Sequence, residues 1–141
     1  MSEFKSKILN KIRPAKKCVF NIHDPTGIRR LFQLRVGLSP LNEHKKRHNF
    51  KDTMSNICHC QTHPETTDHF LLHCERYNEA RRDMFEVLNP ILETNNLRLP
   101  NNTQLVKLLL YGDDNLCEAD NISVISGTLN FIHESTRFES D

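Results

Sequence analysis

Residues 57–74 read Ile57-Cys58-His59-Cys60-Gln61-Thr62-His63-Pro64-Glu65-Thr66-Thr67-Asp68-His69-Phe70-Leu71-Leu72-His73-Cys74. Three of the chain's five cysteines and four of its eight histidines fall in this stretch. Cys58 and Cys60 form a C-x-C pair; His69 and Cys74 form an H-x4-C pair beyond a loop. Zinc prefers four thiolate or imidazole ligands in a tetrahedron. Two short-range pairs joined by one loop supply them with a single closure. The ligand set read here is Cys58, Cys60, His69 and Cys74, with His59, His63 and His73 near enough to replace His69. The bland alternative is a histidine-rich surface loop carrying reduced thiols.

Thr62, with Glu65 three residues on, reads as a capping box ahead of Phe70-Leu71-Leu72. His69 then sits in a short helix. Cys74 lies about 140° further around an ideal helix, so both can hold one ion only if the helix frays or tightens near His73. Four protein ligands close a zinc site and leave no position for a water, which argues against hydrolysis.

The flanking residues add a resemblance. Cys58-His59-Cys60, followed by Glu65-Thr66-Thr67-Asp68-His69-Phe70-Leu71-Leu72-His73-Cys74 and the run to Arg82, resembles the zinc-binding segment downstream of the polymerase in non-LTR retrotransposon reverse transcriptases. The similarity continues upstream through Leu34-Arg35-Val36-Gly37-Leu38-Ser39-Pro40-Leu41-Asn42 and downstream through Leu108-Leu109-Leu110-Tyr111-Gly112, covering about Phe4 to Phe138. Related segments carry glycine after the second cysteine; here it is Gln61. The resemblance implies a module that holds template RNA or target DNA beside a polymerase domain.

Of 141 residues, 19 are Lys or Arg and 18 Asp or Glu, but the two signs are segregated. Residues 1–51 hold thirteen basic and three acidic side chains; the remainder holds six and fifteen. Such asymmetry marks either a nucleic-acid surface or two halves that attract each other. Lys16, Lys17, Arg29, Arg30, Arg35, Lys45, Lys46 and Arg47 are the candidate phosphate contacts, with counterion release as the driving force. A solvated helix face is the plainer reading of Lys45-Lys46-Arg47.

No apolar run reaches membrane-span length, and Met1–Lys7 lacks a signal-peptide core. A reducing, intracellular setting is expected, where clustered cysteines point to metal rather than disulfides. Cys18 and Cys117 read as ordinary thiols.

The helical pattern is spread along the chain. Phe4, Ile8 and Ile12 place a helix over 2–13. Asp24-Pro25 starts another, with Ile28, Leu31, Phe32 and Arg35 on one face and Gly37 at its end. Ser39-Pro40 repeats the start signal before Leu41–Asn49. Arg76–Glu93 is the clearest long amphipathic run, kinked or interrupted at Pro90, with Arg81 and Arg82 off its apolar stripe. Asn101 with Gln104 caps a further helix, and Ala119–Thr136 forms the last, weakened at Gly127. With four glycines and no strand rhythm, the fold class is mostly α: one small, irregular helical domain over 1–141, organised around one CCHC zinc site. Its parts are a basic helical segment (1–51), the zinc segment (52–75) and a helical remainder (76–141).

Tyr111-Gly112-Asp113-Asp114 imitates a polymerase metal-binding hairpin. No third carboxylate or palm accompanies it, so it reads as a helix end and a cap, and no enzymatic activity is expected. The alternative function is a zinc-stapled structural or protein-interaction domain with no nucleic-acid role.

Overall fold

The computed structural model of the chain describes residues 22–48, 55–99 and 101–139. The expected helix over 2–13, and Lys16, Lys17 and Cys18, lie outside those residues. Among the described residues are five α-helices: α1 (Pro25–Val36), α2 (Asn42–Arg47), α3 (Asn78–Thr94), α4 (Asn102–Tyr111) and α5 (Glu118–Ser135). Between α2 and α3 lie a wide helical turn, His69–His73, and a tight one, Glu75–Tyr77. The fold is mostly helical, and the sole strand-like feature among the described residues is an antiparallel bridge between Ile57 and Pro64.

Local chemistry sets the helix limits. Asp24 Oδ1 accepts the Gly27 N–H at 3.0 Å, and Pro25 occupies a position whose missing N–H is not needed. Gly37 takes φ +73° and closes α1 through Leu38 N–H to Gln33 O at 2.9 Å. The buried stripe of α1 is Gly27, Leu31 and Leu34, so Phe32 turns outward instead of sharing that face. Asn101 Oδ1 accepts the Gln104 N–H at 2.9 Å to start α4. α3 runs through Pro90 to Thr94 without a break, so the proline costs an N–H but does not end the helix.

α5 organises the core. It packs against α3, α1 and α4 and buries Val124, Ile125, Thr128, Leu129, Phe131 and Ile132. Thr128 hides its hydroxyl by donating to Leu109 O at 2.7 Å. The core reaches the ligand segment through aromatic rings. Phe70 meets Tyr77, Phe131 and Phe138 edge-on, with centroids 5.3, 5.1 and 5.4 Å away. These edge-to-face contacts lock the helical turn of the second ligand pair onto α5 and the chain's C-terminal residues.

Candidate metal centre

Two loops and a turn bring Cys58, Cys60, His69 and Cys74 together. The Ile57–Pro64 bridge pinches the first loop, with Cys58 N–H donating to His63 O at 2.8 Å and Glu65 N–H to Asn56 O at 2.7 Å. Inside it, Gln61 N–H donates back to Cys58 O at 2.8 Å, and Gln61 adopts φ +69°. That left-handed conformation suits glycine and strains a side chain with a Cβ. Glutamine therefore stands where the backbone favours glycine.

The second pair departs from the expected capping box. Thr66, not Thr62, caps the turn: its Oγ1 accepts the His69 N–H at 3.1 Å. Thr62 Oγ1 lies instead 3.0 Å from Cys60 Sγ. The turn widens where tightening or fraying was expected. Cys74 N–H reaches back five residues to His69 O at 2.8 Å, and Cys74 then turns extended with ψ 124°. A five-residue bond makes His69 and Cys74 neighbours across one turn, which an ordinary helix would not.

The four ligand atoms lie within 4.8 Å of one another, and the cluster can hold a metal ion. Cys58 Sγ is 3.7 Å from Cys74 Sγ, and Cys60 Sγ is 3.3 Å from His69 Nε2. Cys58 and Cys74 are buried, Cys60 partly exposed. His69 is buried, with the His63 ring stacked on it at 5.5 Å. Of the alternative histidines, His59 faces Arg76 and His73 faces Asn102, while His63 bonds Thr62. The thiols differ sharply in acidity. Burial pushes Cys58 up to about 11, whereas hydrogen bonds from Thr62 bring Cys60 down to about 6. A cation binding thiolate lowers the first barrier, since a coordinating thiol is deprotonated outright.

Glu65 is fully buried behind the cluster and has several roles that the sequence does not announce. Arg137 grips it with two bonds of 2.8 Å from Nε and Nη2. The N–H of Asn42 donates to Oε1 at 2.7 Å, so this carboxylate caps α2. Ser39 Oγ, the expected cap, accepts the Leu41 N–H at 3.2 Å just ahead of the helix and also lies 2.7 Å from His44 Nδ1. Burial, then the charge of Arg47, holds the His44 imidazole below its usual range. Arg81 is likewise not off the stripe: it is buried and donates to the carbonyls of Leu71 and Phe70 at 2.9 and 3.1 Å. It thus satisfies carbonyls that the short ligand turn leaves without helical partners.

The basic candidates divide. Arg35 is built in, with Nε donating to Leu110 O at 2.6 Å and its guanidinium between the rings of Phe32 and Tyr111. Arg30 bonds Gln33 and lies over Phe138. Arg47 pairs with Glu43 at 3.1 Å. Arg29 and Lys46 are exposed and Lys45 half-buried. Tyr111-Gly112-Asp113-Asp114 forms a helix end: Gly112 takes φ +75°, and Asp113 Oδ1 accepts the Asn115 N–H at 2.7 Å. A side chain at position 112 would collide with Asn121 Oδ1. No helix among the described residues is long and apolar enough to cross a membrane.

Compared with protein-family models, curated proteins and solved structures, the chain matches none.

Proposed function

We propose that this chain is a zinc-binding, nucleic-acid-binding module, related to the C-terminal part of retrotransposon reverse transcriptases and without catalysis of its own. The observation that carries the metal half is the convergence of Cys58, Cys60, His69 and Cys74. In tetrahedral zinc, sulfurs about 2.3 Å from the ion stand about 3.8 Å apart, and sulfur and imidazole nitrogen about 3.6 Å apart. The 3.7 Å and 3.3 Å separations support that ion. Three thiolates and one imidazole are a structural donor set, so the ion's task is to hold the fold.

The nucleic-acid half rests on the basic residues 29–47, which precede the cluster in sequence, and on the resemblance. Arg29, Lys45 and Lys46 are its best phosphate contacts; Arg35 acts within the fold. Binding of RNA or duplex DNA by zinc-loaded protein should weaken steeply with salt, because each neutralised phosphate releases counterions. No binding at low salt with zinc present rejects this half. The internal engagement of Arg30, Arg35 and Arg47 favours the second reading, a zinc-stapled structural or protein-interaction domain. The same titration separates the two.

A further inference from the structure

We propose that Arg76, oriented by Glu65 and Tyr77, is the positioning residue that balances the buried charge of the metal centre and sets how tightly the ion is held. This inference rests on the zinc reading above. A divalent ion bound by three thiolates and a neutral imidazole carries one net negative charge. Cys58 and Cys74, two of those thiolates, are buried side by side. Arg76 Nη2 stands 3.5 Å from Cys58 Sγ, within hydrogen-bonding range of sulfur. It is the cation that the described residues place at that sulfur.

Its placement is over-determined. The same nitrogen lies 3.6 Å from Glu65 Oε2 and 2.5 Å from the Tyr77 hydroxyl, and the guanidinium stacks over the Tyr77 ring at 4.8 Å. Glu65 cannot yield, because Arg137 and the Asn42 N–H hold it from the other side. On the Glu65 and Cys58 side of the loaded site the charges balance, with buried Arg81 a further cation on the Cys74 side. Three thiolates and Glu65 bring four negative charges; the divalent ion, Arg76 and Arg137 bring four positive ones. Removing Arg76 leaves a buried anion beside Cys58 without its near cation. Outer-sphere partners of this kind change metal affinity by about 10- to 100-fold.

The test compares wild type, Arg76→Gln, Arg76→Lys and the exposed control Arg82→Gln. Zinc affinity is measured against a competing chelator, and the sulfur-to-metal charge-transfer band is recorded on cobalt-loaded protein. Arg76→Gln should bind about 10- to 100-fold more weakly with a displaced band. Arg76→Lys, which keeps the charge but not the planar fork, should recover much of the affinity, and Arg82→Gln should match wild type. A wild-type affinity and band in Arg76→Gln overturns the proposal, as does a lysine variant no better than glutamine. If glutamine prevents folding, the lysine variant alone decides. Wild type that binds neither metal defeats the zinc reading itself, a separate result.

Discussion

Replacing Arg137 by methionine removes both guanidinium bonds to Glu65 and the bond of 3.0 Å to Pro40 O, leaving the carboxylate fully buried. Breaking a buried ion pair by deleting one partner costs about 3–5 kcal/mol, because the remaining charge is uncompensated. Here the Asn42 N–H at 2.7 Å and Arg76 at 3.6 Å remain, which places the loss near the lower end, about 3 kcal/mol. That is a large share of a typical stability of about 5–15 kcal/mol. Urea denaturation of metal-loaded protein at neutral pH measures it. Glu65→Leu combined with Arg137→Met replaces the pair by apolar groups and should be more stable than Arg137→Met alone. Burial pushes the Glu65 carboxyl up, but its bonds to Arg137 and Asn42 outweigh this and hold it below the usual range. Its contribution is therefore present above the unfolded carboxyl value, about 4.3, and is lost as pH falls through the lowered folded value. In Arg137→Met burial is less opposed, so acid unfolding should begin at higher pH. A loss under about 1 kcal/mol, or double-variant losses that simply add, would refute a buried pair of this strength.

Gln61→Gly should stabilise the loaded protein by roughly 0.5–1 kcal/mol, since relief of the φ +69° strain exceeds the added backbone entropy of glycine; thermal melting with zinc present would register the gain. Gly127→Ala should stabilise by up to about 1 kcal/mol: a Cβ there meets Val87 at 3.8 Å, an ordinary contact, and a drop in melting temperature would contradict it. Arg81→Met should cost about 2–3 kcal/mol by leaving the carbonyls of Phe70 and Leu71 unpartnered, visible as a lower urea midpoint at unchanged slope.

What the sequence revealed and what it hid divide by range. Asp24, Gly37 and Asn101 act on atoms within a few residues, so their roles follow from spacing alone. The C-x-C and H-x4-C pairs were equally legible, because metal-ligand residue types are rare in close order. The widened turn at His69–Cys74 is a compromise between helix and ligand geometry that no propensity encodes. Glu65 sat in a legitimate capping pattern, yet its partner Arg137 lies 72 residues away. Helical periodicity puts Arg81 and Arg82 alike off the apolar stripe, and only packing against the ligand turn separates them. Contacts of this range leave no periodic mark in a sequence.

The most direct test is zinc per chain in wild type and in Cys58→Ser, Cys60→Ser, His69→Ala and Cys74→Ser, measured on purified protein after exchange into buffered zinc. Four side chains sharing one ion predict one equivalent in wild type and a large loss in each variant, with helical signal falling alongside. Wild type that takes up no zinc, or a Cys58→Ser or Cys74→Ser protein that keeps a full equivalent, contradicts the account.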